Sequence, residues 1–186
     1  MRNKTTEPIS VPTHSNTLKW LAGAAMCLAL CMVLPFLTGQ IPQVGGMLSP
    51  MHIPVLLAGY LCGGWWGMLV GAIAPVLRFL LFGMPPIFPT GLCMCFELAA
   101  YGLFSGMLYR KMPRITGSIY LSLVLAMLGG RLVWGLAAAV IYAVAGLDFG
   151  MQVFLTGAFI QAAPGIVLHI LLIPPIVMLL QRVKLI

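Results

Sequence analysis

Residues 18–37, LKWLAGAAMCLALCMVLPFL, contain one charged side chain, Lys19, in a stretch that is otherwise almost wholly apolar. About twenty such residues form a helix long enough to cross the hydrocarbon core of a bilayer. The stretch follows a polar segment and has no small-residue cleavage site, so we expect a retained membrane helix and not a signal peptide. The whole chain is similarly apolar, because 61% of its 186 residues are hydrophobic and only 7% are charged. The mean hydropathy of +1.07 excludes an ordinary soluble domain.

Turns rich in glycine and proline divide the chain into successive apolar segments. The second segment is short for a full crossing, and Pro164 and Pro174-Pro175 predict kinks or an early end in the last. Residues 1–17 are expected to form a mobile cytoplasmic tail, and residues 18–186 a single domain. The sequence therefore predicts an all-α membrane protein, a six-transmembrane-helix bundle. The predicted spans cover about residues 18–37, 51–62, 65–82, 88–109, 118–145 and 151–181.

Basic residues near the predicted membrane surfaces set the orientation of these spans. They lie before the first span, between the fourth and fifth, and after the sixth: Arg2, Lys4, Lys19, Arg110, Lys111, Arg114, Arg182 and Lys184. With six spans these three places share one side, and the positive-inside rule makes it the cytoplasm. Both termini are therefore expected to be cytoplasmic. A nucleic-acid partner is not expected, because the net charge of +7 forms no continuous basic face.

Apart from Lys19 at the start of the first, the predicted spans contain three charged residues. Arg78 occurs in APVLRFLLFG, Glu97 in CMCFELAAYG and Arg131 in MLGGRLVWGL. A charge at mid-membrane costs about 3 kcal/mol or more unless it is paired or faces a cavity. Two arginines and one glutamate leave a surplus positive charge that an anionic ligand could neutralise, since the guanidinium group binds carboxylates through two hydrogen bonds. The alternative is an internal pair of Glu97 with one arginine that only locks helices together.

Several polar and aromatic residues could contact a ligand in the outer half of the bundle: Gln40, Gln43, His52, Tyr101, Trp134 and Gln161. Each also has a simpler role, because loops are polar, histidines can cap helices and aromatic rings pack in cores. His169 is expected to bond a backbone carbonyl that Pro164 leaves free.

The sequence offers little for catalysis. It has no G-x-x-x-x-G-K-[ST] motif for ATP hydrolysis, and its spans contain one glutamate and no aspartate. The five cysteines lie in apolar segments without the spacing of a zinc site. We therefore expect no metal, no cofactor and no enzymatic activity.

The first span carries alanines at helical spacing, Ala22, Ala25 and Ala29. Ala25 and Ala29 lie one turn apart on one face, which allows another helix to approach closely. That helix could belong to the bundle or to a partner subunit.

From about residue 18 to the C-terminus, the chain resembles the S component, the substrate-binding subunit, of an energy-coupling factor (ECF) vitamin transporter. The resemblance rests on the predicted topology, the spaced alanines and the long uncharged loop before the second span. It also rests on residues 34–63, LPFLTGQIPQVGGMLSPMHIPVLLAGYLCG, and 82–111, FGMPPIFPTGLCMCFELAAYGLFSGMLYRK. These two runs are similar to a subgroup often assigned to pantothenate.

The resemblance implies a high-affinity vitamin-binding subunit in the plasma membrane of a prokaryote. It implies docking onto a transmembrane coupling protein and two ATPase subunits, with Ala22, Ala25 and Ala29 on the docking face. Ligand contacts are expected near Gln40 and Gln43 and on the fourth, fifth and sixth spans. The surplus of arginine favours an anionic substrate such as pantothenate. Folate, a queuosine precursor, riboflavin and a role as an assembly subunit without a ligand remain alternatives.

Overall fold

The computed structural model describes residues 14–38, 47–113, 115–148 and 150–183. These residues form helices joined by short turns, with no strand among them. The all-α prediction is thus confirmed for this part of the chain. The helices are α1 (His14–Val33), α2 (His52–Cys62), α3 (Gly64–Phe82), α4 (Leu92–Lys111), α5 (Thr116–Val144), α6 (Met151–Leu155) and α7 (Ala163–Arg182).

Five of the described helical segments are long and apolar enough to cross a membrane. The first of these helices, α1, begins at His14, four residues before the start predicted from hydropathy. The second predicted span corresponds to α2, which has only 11 residues and rises about 16 Å at 1.5 Å per residue. It is too short for a full crossing by itself, so the count of six spans and the side of the termini stay predictions.

The last predicted span is divided near its start. The chain forms α6, then a π-helical turn over Thr156–Ile160, and then the longer helix α7. Pro164 lies in the first turn of α7, where a missing backbone N–H costs no helical hydrogen bond. Helix α7 continues through Pro174 and Pro175, so the break precedes Pro164 and the helix does not end at the later pair.

The short helix α2 forms the centre of the described bundle. Every residue from His52 to Tyr60 is buried, and so is Cys62. Its neighbours α3 and α4 approach through glycines. A Cβ on Gly67 would lie 2.7 Å from both the Gly59 Cα atom and the Gly102 carbonyl oxygen. Small residues allow such backbone contact, which lets α2, α3 and α4 pack tightly around the interior.

Replacing Gly102 with alanine is therefore expected to destabilise the fold. The added Cβ would clash with the backbone of Gly67, which cannot move without shifting α3. Overpacking of this kind costs about 1–3 kcal/mol. Thermal unfolding of the purified variant in detergent would measure the loss. Gly117→Ala is the matched control, because no atom lies within 4 Å of a Cβ there; equal stability of the two variants would contradict this packing.

One end of α2 is bonded directly to α1, and the other is linked to α1 through Arg110 of α4. At the first, the Cys31 thiol donates a hydrogen bond to the Met51 carbonyl, with a distance of 3.7 Å. At the second, Arg110 Nη2 donates to the Cys62 carbonyl at 3.3 Å, and the guanidinium carbon lies 5.9 Å from the centre of the Trp20 ring. Helices α1 and α2 are thus held together along the length of α2.

The outer surface of the helices is apolar. Leu80 is 72% exposed, Leu132 62% and Val144 81%. Side chains of this kind suit contact with lipid tails, whereas the interior contains the buried polar residues.

Candidate functional site

Five polar or aromatic side chains from four helices meet in the interior of the bundle. They are His52 at the start of α2, Glu97 and Tyr101 on α4, Arg131 on α5 and His169 on α7. We call these five residues the polar cluster. Exposure is 3% for His52, 2% for Glu97, 1% for Tyr101 and 2% for His169. The Arg131 side chain is 12% exposed, so the cluster is almost completely shielded.

The carboxylate of Glu97 lies at the centre of the polar cluster. Its Oε1 atom is 2.8 Å from Arg131 Nη1 and 3.4 Å from His52 Nε2. The Tyr101 hydroxyl lies beside both Glu97 and Arg131. Glu97 and Tyr101 share a face of α4 because they are four residues apart. One carboxylate and one guanidinium group therefore offset each other in an interior of low dielectric constant.

Ring contacts fix the remaining geometry. The centres of the His52 and Tyr101 rings lie 5.1 Å apart in an edge-to-face arrangement. The His52 and His169 rings are stacked, with centres 5.9 Å apart and an interplanar angle of 18°. Gly130 of α5 makes room for Tyr101, since a Cβ at that position would clash with the ring. His52 thus contacts the side chains of α4 on one side and of α7 on the other.

Several buried atoms of the polar cluster have no hydrogen-bond partner within the described residues. They are both ring nitrogens of His52, Nε2 of His169, Oε1 of Glu97 and Nε of Arg131. Glu97 Oε1 is among them because its close contacts lack hydrogen-bond geometry, although the ion pair to Arg131 is short. A buried polar group without a partner costs about 1–3 kcal/mol. A polar ligand that offers both donors and acceptors would remove this cost.

Arg78 lies apart from the polar cluster, contrary to the expectation that both arginines share one site. Its Nη1 donates a hydrogen bond to the Met32 carbonyl at 3.2 Å. Its guanidinium carbon lies 5.9 Å from the ring centre of Phe36 and 5.3 Å from that of Phe82. Arg78 is 5% exposed, which is about as buried as the polar cluster. Its contacts, and not its burial, show that it lies elsewhere. The internal pair of Glu97 with one of the two arginines, which the sequence left open, forms with Arg131.

The other predicted contacts have different positions. Trp134 stacks on Phe154, with ring centres 6.1 Å apart, and packs against Gly157. Gln161 is exposed in the turn before α7, whereas the polar cluster is buried. Gln40 and Gln43 lie outside the described residues.

Comparison with known proteins shows the family of the chain. A model of the family described as ECF transporter, substrate-specific component, matches residues 19–177. The chain belongs to this family. Neither the curated proteins nor the solved structures compared with it gave a match. As an S component it is a multi-pass membrane protein and a transport subunit, not an enzyme, and its family implies a substrate and partners in the ECF module.

The three spaced alanines of the first span lie on the outside of this S component, whereas Ala24 is buried. Ala22, Ala25 and Ala29 are exposed, whereas Cys27 and Cys31 face the interior of the bundle. Of the two possibilities left open by the sequence, close packing inside the bundle is therefore not observed for these alanines. Their face of α1 is free to meet another helix.

His169 is the residue of the polar cluster that sequence reasoning assigned to a different role. We expected it to bond a carbonyl freed by Pro164, but its ring stacks on His52 and contacts the backbone of Ser49. The sequence contained one indication of this position, because a histidine deep in an apolar span needs a polar neighbour. Nothing in the spacing of α7 indicated that this neighbour would be a second histidine.

The described residues contain no group of three or more histidine, cysteine or acidic side chains that could hold a metal ion. Cys27, Cys31, Cys62, Cys93 and Cys95 are free thiols. The polar cluster thus combines a carboxylate, a guanidinium group, two imidazole rings and a phenol ring.

Proposed function

We propose that this S component binds its substrate at the polar cluster, in contact with Glu97 and Arg131. The observation that carries the proposal is the set of buried donor and acceptor atoms without hydrogen-bond partners. Such atoms are rare in folded proteins, and each of them calls for an explanation. A bound polar molecule would provide one for all of them together. The helices that supply them converge from four positions along the chain, so a bound molecule would contact most of the bundle.

The proposed setting is the plasma membrane of a prokaryote, with six spans and cytoplasmic termini. The substrate is a vitamin or a precursor. Substrate would then cross the membrane when the S component docks, through Ala22, Ala25 and Ala29, onto a coupling protein that two ATPase subunits drive. The exposure of these alanines supports such docking.

The identity of the vitamin stays a prediction from the sequence resemblance, with pantothenate the first compound to test. The location of Arg78 removes one of the two arginines that favoured an anion.

Mass spectrometry of small molecules released from the purified chain would test this function. We expect a vitamin-like compound from the wild-type protein and its depletion from a Glu97→Leu variant prepared in parallel. Equal recovery from both proteins would show that the ligand binds elsewhere. Absence of a ligand from the wild type, together with failure of vitamins to bind, would favour an assembly subunit.

A further inference from the structure

The charge of the interior can be counted completely from the sequence. The chain has three acidic residues, and Glu97 is the one within the apolar helices; Glu7 lies in the N-terminal segment and Asp148 in the exposed segment after α5. Arg78 and Arg131 are the basic residues in the interior of apolar spans. The loop over residues 39–46, GQIPQVGG, has no charged side chain. No further charge can therefore enter the polar cluster from that loop.

Only one of the two arginines is paired with Glu97. Arg131 lies against Glu97, whereas Arg78 is held by the Met32 carbonyl and two aromatic rings. The formal charges of Arg131 and Glu97 in the polar cluster sum to zero. An entering anion would give this shielded site a net negative charge, which low dielectric surroundings make costly.

The unpartnered atoms of the cluster are of both kinds. Arg131 Nε is a donor, and the two ring nitrogens of a neutral His52 are one donor and one acceptor. Glu97 Oε1 is an acceptor that Arg131 and His52 approach without hydrogen-bond geometry. A carboxylate could satisfy the donors but would place its charge near Glu97. A molecule without net charge can satisfy both sides.

We propose that the substrate carries no net charge and offers a hydrogen-bond acceptor to Arg131 and a donor to Glu97. This inference rests on the proposed function of the cluster and specifies the class of its ligand. A neutral molecule or a zwitterion qualifies, and a simple monocarboxylate does not; pantothenate, the compound expected from the sequence, is therefore disfavoured.

Binding of matched acid and neutral compounds to the purified full chain tests the inference. Suitable pairs are pantothenate with panthenol, biotin with biotinamide, and nicotinate with nicotinamide, compared at about pH 8, where free imidazole is uncharged. We expect the neutral member of a pair that binds to have at least about tenfold higher affinity, since an unpaired buried charge costs more than 1.4 kcal/mol. Tighter binding of the acid would overturn the inference and leave the proposed function intact.

Two variants make the test specific for charge. Glu97→Gln gives the cluster a net positive charge and is expected to shift the affinity ratio of each binding pair about tenfold toward the acid. Arg78→Gln, which removes a charge outside the cluster, is expected to leave that ratio unchanged. An unchanged ratio in Glu97→Gln, or an equal shift in Arg78→Gln, would contradict the proposed division of charge.

If no pair binds, the compound recovered by mass spectrometry decides the question through its own charge. A neutral or zwitterionic compound supports the inference, and a net charged one overturns it. Recovery of no compound, with no binding of any pair, would contradict the proposed function and this inference with it.

Discussion

Replacement of Arg131 by methionine is expected to abolish substrate binding and to lower the stability of the chain. The substitution would leave the Glu97 carboxylate buried beside His52 without its closest cationic neighbour, 2.8 Å away in the wild type. Removing one partner of a buried ion pair costs about 3–5 kcal/mol. It would also remove the Nε donor proposed to contact the ligand. We expect affinity to fall at least about a hundredfold, or 2.7 kcal/mol, measured by calorimetry with the recovered ligand.

The double variant Arg131→Met with Glu97→Gln separates the two effects. Without the carboxylate no unpaired charge remains, so thermal stability should recover in part while binding stays lost. Arg78→Lys serves as a conservative control at the other arginine. A lysine there can retain the bond to the Met32 carbonyl, and its binding should match the wild type. Wild-type affinity in Arg131→Met would refute a role of this residue in the site.

The difference between the two arginines shows where sequence reasoning ends. Hydropathy identified Arg78, Glu97 and Arg131 as charges inside apolar spans, and all three are in helices of the structure. The sequence could not show which arginine meets Glu97, because that depends on the rotation of each helix about its axis. Tertiary packing decides the rotation: Gly130 admits the Tyr101 ring between α4 and α5, and Arg131 follows directly in the chain.

The sequence patterns also do not predict which helices pack closely in the interior. The alanines of α1 were recognised as a close-packing motif, yet the close backbone contacts within the described bundle involve Gly59, Gly67 and Gly102. A spacing of four residues marks a surface that permits close approach but does not identify its partner. The alanine face is exposed, which makes it available to another protein.

Replacing alanines on that face with bulky side chains should prevent assembly with the ECF module. Ala25 and Ala29 lie one helical turn apart and are exposed, so two tryptophans there would project from α1 without disturbing the buried side that contains Ala24, Cys27 and Cys31. We therefore expect Ala25→Trp with Ala29→Trp to eliminate co-purification of the coupling protein. Ligand affinity should be unchanged, because α1 supplies no member of the polar cluster.

The control is a double tryptophan variant at apolar positions exposed on other helices. Leu80 of α3 and Leu132 of α5 are 72% and 62% exposed, so substitution there places the same two side chains on an exposed apolar surface away from α1. Co-purification should persist in this control and be lost only in the α1 variant. Assembly of the α1 variant at wild-type levels would contradict docking through the alanines. Loss of ligand binding in that variant would instead indicate that the tryptophans disturb the contacts joining α1 to α2, where Cys31 meets the Met51 carbonyl.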